Sequence, residues 1–139
     1  MTKFEDVIAW QKARVLVNLV YNLTAKDQFA TDFGLRDQVR RATVSTMANI
    51  AEGFESGSHL EFGRYLTYAK SSCAEVRSHL YVAADLGYTT QSDLDTALEK
   101  ASEVKRIIGG LKANLRPKSS VVKEEVILYA AESNSTEVL

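Results

Sequence analysis

The sequence predicts an all-α protein, an antiparallel up-down-up-down four-helix bundle that assembles into a homo-oligomer. Three observations predict it. Proline occurs once in 139 residues, at position 117, so long helices are permitted almost everywhere before it. From about residue 4 to residue 115 the apolar residues recur in steps of three and four, the period of one helical face. The breaks between these segments are only a few residues long, which makes consecutive helices antiparallel neighbours.

The first helix is expected from about Phe4 to Thr24. Its polar side is narrow and consists of Gln11, Arg14, Asn18 and Asn22. The remaining arc, roughly 240° wide at the helical angle per residue, carries Ile8, Ala9, Trp10, Ala13, Val15, Leu16, Val17, Leu19, Val20, Tyr21 and Leu23. A surface helix needs an apolar stripe of only about 100°. The excess predicts a second buried face, most simply against another copy of the chain, with Ile8, Trp10, Val15, Val17, Leu19 and Tyr21 as its residues.

Lys26-Asp27-Gln28 interrupts the pattern, and the second helix is expected from near Asp32 to Gly53, read as a C-terminal glycine. Gln38, Arg41, Ser45, Asn49 and Glu52 form one polar stripe along it. Apolar borders flank the stripe: Leu35, Val39, Ala42 and Ile50 on one side, Val44, Ala48 and Ala51 on the other. Such a stripe reads either as a hydrogen-bonded network that fixes register or a subunit interface, or as a groove for a ligand or nucleic acid.

Ser58 and Glu61 form a capping-box pattern at the start of the third helix, which runs to Leu86 with Gly87 just beyond it. Its stripe is Phe62, Tyr65, Leu66, Ala69, Cys73, Val76, Leu80 and Ala83, so Cys73 reads as a buried, inert thiol. Thr90 and Asp93 repeat the capping signature for the fourth helix. That helix has one seam, Leu94, Ala97 or Leu98, Ala101, Val104, Ile108, Leu111 and Leu115. Gly109-Gly110 interrupts it, and a close helix–helix approach would explain tolerating the pair. Pro117 closes the helix. Residues 1–116 therefore form the helical domain, and residues 117–139 a tail that is flexible or docks on a neighbouring subunit.

Composition excludes several functional classes. One cysteine rules out an internal disulfide and favours a reducing compartment. No run of about 18 apolar residues exists, and the N-terminus does not read as a signal peptide. Seventeen basic and eighteen acidic residues leave a formal charge of −1, with no overall basic character. No phosphate loop, dinucleotide fingerprint or zinc spacing occurs. Glu75 and His79 lie one turn apart but opposite the apolar stripe, and the Glu-x-x-His pairs of a di-iron bundle are missing. No catalytic or metal-ligating residue and no cofactor is expected. Basic positions that could take phosphates are Arg36, Arg40 and Arg41, supported by Arg64 and Lys70, with Arg77 a further cation on the third helix. The acids Asp37, Glu52, Glu61 and Glu75 could neutralise them in ordinary ion pairs.

Gly34-Leu35, Gln38, Arg40-Arg41-Ala42, Ser45 and Asn49-Ile50-Ala51-Glu52-Gly53 resemble the hallmark block of the bacterial four-helix bundle family that includes proteins encoded within intervening sequences of 23S rRNA genes. Trp10, Ala13 and Tyr21, and then Glu61-Phe62, Ala69, Ser72, Glu75 and Leu86-Gly87-Tyr88, also match, while Ser71 stands where the family often has glycine. The resemblance implies cytoplasmic bundles that form ring-like homopentamers, and a distant relation to the accessory protein of diversity-generating retroelements. The expected role is a non-enzymatic, self-associating scaffold whose candidate ligand is RNA or other nucleic acid, with a nucleic-acid-processing protein as a further candidate partner. A protein-interaction module without nucleic acid is the alternative, and a metal-dependent enzyme ranks third.

Overall fold

The computed structural model describes residues 3–115, and they are helical with no strand among them. A 3-10 turn, Phe4–Asp6, precedes α1 (Ile8–Thr24), α2 (Asp27–Thr31), α3 (Phe33–Glu55), α4 (His59–Asp85) and α5 (Gln91–Ala113). The expected tail and Pro117 lie outside the described residues.

The first expected helix is broken at Val7, which is extended at φ −77° and ψ 120°. That conformation turns the Val7 side chain into the core, where it is fully buried, and brings the Phe4 ring edge-on to Trp10 at 5.2 Å. The presumed interruption at Lys26-Asp27-Gln28 instead leads into the short helix α2. Asp27 adopts φ 47°, a conformation aspartate tolerates better than most residues. Phe29 anchors α2 in the core and stacks at a tilt on Tyr88, centroids 5.5 Å apart.

Side-chain caps start the three longest helices. Asp32 accepts from the Leu35 N–H at 3.2 Å, Ser58 from Glu61 at 3.2 Å, and Thr90 from Asp93 at 3.0 Å. Each satisfies an amide that the first helical turn would leave unpaired. Asp32 does more than cap, because its second oxygen accepts the Tyr88 hydroxyl at 2.9 Å and ties α3 to the α4–α5 loop. That hydrogen bond, then burial, then the carboxylate's charge raise the Tyr88 phenol above its ordinary pKa. Gly57 and Gly87 take the positive φ values, 82° and 77°, that turn the chain after α3 and α4.

The four long helices close a circuit of contacts. α1 packs on α3 and α5, and α4 packs on α3 and α5, with the α3–α4 interface the most extensive. The apolar stripes expected on α4 and α5 are buried almost as read, Tyr65 and Leu98 being half-covered. On α3 the buried face runs through Val39, Ala42, Thr43, Thr46, Ile50 and Phe54. The two threonines pass unnoticed as core because they are polar. Each satisfies its hydroxyl inside its own helix, Thr43 on the Val39 and Arg40 carbonyls and Thr46 on that of Ala42.

Gly53 does not end α3. The helix continues two residues further, and Gly53 is buried against α4, where a Cβ would lie 2.7 Å from the Tyr65 Cβ and 3.0 Å from Phe62 Cδ1. Gly63 in α4 is the contrast, since nothing lies within 4 Å of its Cβ position. Gly53→Ala should therefore destabilise the protein by about 1–2 kcal/mol, overpacking outweighing the gain in helix propensity. Gly63→Ala should stabilise it by up to about 1 kcal/mol. Urea denaturation midpoints for both variants check the opposite signs.

Candidate functional site

The polar stripe of α3 is divided by its surroundings. Its middle lies in the α3–α4 seam: Ser45 Oγ and Ser72 Oγ share a hydrogen bond of 3.0 Å, and Asn49 Nδ2 donates to the Ser45 carbonyl at 2.8 Å and to its hydroxyl at 3.1 Å. These half-buried groups satisfy one another across two helices, as a register-fixing network should. Gln38, Arg41 and Glu52 are exposed. Gln38 and Arg41 open into a hollow of about 660 Å³, lined also by Tyr21, Asp37, Arg40, Val44 and Glu75. It spans three helices: α1 contributes Tyr21, α4 contributes Glu75, and α3 forms the floor.

The five candidate cations are not brought together. Arg36 pairs with Asp37 at 2.9 Å, donates to the Ala30 carbonyl at 3.1 Å and lies over the Phe33 ring. Arg40 donates to Thr24 Oγ1 at 2.7 Å and stacks on Tyr21 at 4.4 Å. Both arginines fasten α3 to the elements before it. Arg64 pairs with Glu61 at 2.9 Å and reaches the Tyr68 hydroxyl at 3.2 Å, on the outer face of α4. Arg41 makes no hydrogen bond or ion pair among the described residues, but Asp37 and Glu75 share its hollow. Of the expected neutralising acids, Asp37 and Glu61 hold arginines, whereas Glu75 faces His79 at 3.5 Å. The hollow thus balances its cations with carboxylates.

Lys70 stands apart from the other four. It lines a groove of about 550 Å³ between α4 and α5, together with Arg77, Lys105 and Arg106. The floor is small: Ser102, Gly109, Gly110 and Ala113. No close helix contact accounts for Gly109, because a Cβ there would meet nothing within 4 Å. The glycine leaves space instead of closing it. Lys105 and Arg106 escape a reading of α5 that follows its apolar seam alone, although their three- and four-residue spacing to Ser102 and Gly109 places all four on one helical side.

The apolar candidates on α1 also divide. Ile8, Trp10 and Leu19 lean on the core and Val17 is half-buried, while Val15 and Tyr21 remain 46% and 40% exposed. Val44 lines the same hollow as Tyr21 and is 42% exposed. Ala48 and Ala51 continue its stripe along α3, both half-covered.

Reactive groups are few. Among the described residues no group of three or more His, Cys, Asp or Glu comes within reach of one metal ion, and no helix is long and apolar enough to cross a membrane. Cys73 is fully buried and its Sγ contacts the Ala101 carbonyl at 3.2 Å. Burial pushes its thiol up to about 11, against the opposing pull of Arg77 and Lys105. Glu103 bridges α5 to α1, 2.9 Å from Lys100 and 3.5 Å from Lys12. Burial raises its carboxyl, but Lys100 and Lys12 outweigh that and hold it below the usual range.

The sequence profile of a family described as 23S rRNA-intervening sequence protein matches residues 5–110, most of the chain, so the chain belongs to that family. No individual curated protein matches it. The match covers α1 to α4 and most of α5, and so includes the polar stripe, the hollow and most of the basic groove.

The state of Cys73 gives a direct check. A thiol reagent at pH 8 should leave the native protein unmodified, because the thiolate is scarce there and the sulfur is covered. The thiol should react quickly once urea unfolds the chain. Rapid labelling of the native protein at pH 8 would contradict both the burial and the raised pKa.

Proposed function

We propose that this member of the 23S rRNA-intervening sequence protein family is a non-enzymatic scaffold, an antiparallel four-helix bundle that self-assembles through the face made by α1 and α3. The observation that carries the reading is the apolar surface on that face. Tyr21 and Val44 are exposed and line one hollow, Val15 is exposed further along α1, and Ala48 and Ala51 extend the stripe. Small residues on α3 would let a second copy approach closely. A specific interface buries about 800 Å² per partner, so the contact would extend over much of α1 and not over Tyr21 and Val44 alone. The family resemblance makes a ring of five the expected assembly and the cytoplasm its setting. The one cysteine is fully buried, which speaks against thiol catalysis.

Light scattering on the purified protein tests the reading. The expected mass is a multiple of one chain, and Val44→Glu should reduce it to a single chain while the helical circular dichroism persists. A monomer in the unmodified protein at micromolar concentration would overturn the proposal.

Nucleic acid is the second reading, supported by cations on α4 and α5 that no acid engages among the described residues. A labelled single-stranded RNA should bind at low salt and weaken steeply as salt rises, because displaced counterions drive such contacts. Absence of binding at about 20 mM salt, where that counterion term is strongest, would remove this reading and leave a protein-interaction scaffold.

A further inference from the structure

We propose that the groove between α4 and α5 is a binding site for phosphate groups, with Lys70, Arg77, Lys105 and Arg106 as its ligands. The inference is independent of the self-assembly reading and deepens the nucleic-acid one, for which it supplies a location.

Four cationic side chains line one groove of about 550 Å³, and no aspartate or glutamate lines it among the described residues. Elsewhere the helices distribute charge differently. Arg36, Arg64, Lys12 and Lys100 each hold a carboxylate within 4 Å, and the hollow on α3 sets Arg40 and Arg41 against Asp37 and Glu75. Glu103, the acid of α5 nearest in sequence to Lys105 and Arg106, is already committed to Lys100 and to Lys12 of α1. None of Lys70, Arg77, Lys105 and Arg106 has an ion pair or hydrogen bond among the described residues. Arg77 goes further, since its Nε is buried without a hydrogen-bond partner. An unsatisfied buried donor of this kind is costly, and no acid of the described residues offsets the guanidinium that carries it.

The floor is suited to the same use. Ser102 offers a hydroxyl, and Gly109, Gly110 and Ala113 keep side-chain bulk away, so a phosphate can approach the helix surface closely. Glycine in the body of α5 costs about 1 kcal/mol in helix propensity relative to alanine. Since nothing occupies the Cβ position of Gly109, helix packing does not explain that cost, whereas room for a ligand does. Two guanidinium groups and two ammonium groups match the oxygens of a phosphodiester or a terminal phosphate, and neither the site's charge nor its shape selects a base.

Fluorescence anisotropy with a labelled single-stranded RNA and calorimetry with inorganic tripolyphosphate, both on the full chain, test the site and its source of phosphate. The double variant Lys105→Gln with Arg106→Gln removes two exposed cations, and Gly109→Glu places a carboxylate where space is open. Lys26→Gln serves as the control outside the groove, since Lys26 is exposed at the start of α2. Each double-variant cation lost should reduce the logarithmic salt slope for RNA by roughly 0.7 and the two together should weaken binding by about tenfold at low salt. Gly109→Glu should abolish binding, with unchanged circular dichroism, and Lys26→Gln should bind as the parent does.

If both probes bind and both weaken in the groove variants, the site takes phosphates of a nucleic-acid strand. If tripolyphosphate alone binds and weakens, the groove stands as a site for a free phosphate ligand and the nucleic-acid reading falls. RNA binding that the groove variants leave intact would overturn the groove while preserving that reading. Failure of both probes at low salt would overturn both.

Discussion

At Gly53 the α3 backbone lies so close to α4 that an added methyl group would sit 2.7 Å from the Tyr65 Cβ. Two turns earlier, Ser45 and Ser72 meet across the same seam at 3.0 Å. This approach depends on small side chains, and the rest of the structure is arranged around it. Because α3 rests on α4 along its Ser45–Asn49–Gly53 side, its remaining inward surface is the buried Val39–Thr46–Ile50 face, and α1 packs on the same helix. α4 in turn presents Cys73 to the α5 backbone at Ala101. Asp32 then joins the start of α3 to the loop after α4 through Tyr88. A bulkier residue at the seam would displace each of these partners together.

Small residues do two opposite things in this molecule. Gly53 removes volume so that two helices can touch, and its replacement is blocked from the neighbouring helix. Gly109 removes volume that no neighbour fills among the described residues, so the surface between α4 and α5 stays open there. The distinction is geometric, and composition alone does not make it. A glycine in a helical run predicts a loss of propensity in both cases, and only the neighbouring element decides whether contact or space follows.

The α4 and α5 stripes, the caps at Ser58 and Thr90, and the turn at Gly87 are legible in the sequence because they are local. Periodicity and capping depend on residues three or four apart. The features that elude such reading depend on distant partners. Val7 breaks the first helix because the core accepts its side chain, and α2 is too short for a period to register. Thr43 and Thr46 are core residues disguised by hydroxyls that bond to their own helix. The candidate site shows the same division. The α3 stripe is visible as a pattern, but which part is buried depends on where Ser72 lies, 27 residues away. Asp37 is readable as a partner for Arg36, but Thr24 and Tyr21, 16 and 19 residues before Arg40, are seen to engage it only in the fold. Lys105 and Arg106 lie outside the α5 apolar seam, and pairing them with Lys70 and Arg77 requires the α4–α5 packing.

Net charge proves a poor guide here for the same reason. A formal charge of −1 describes the chain seen from far away, yet at physiological salt a charge is screened within about 8 Å. On that scale the relevant quantity is the local balance, which is near neutral in the α3 hollow and strongly positive in the α4–α5 groove. Self-assembly would then alter the consequence of a single groove. In the proposed assembly the groove recurs once per copy on α4 and α5, while the contact between copies uses α1 and α3. The two surfaces involve different helices, so occupation of one need not cover the other. A strand long enough to reach several grooves would bind by avidity, each later contact being intramolecular. A site of modest individual strength, carried by a chain with no overall basic character, would then suffice to hold a polyanion.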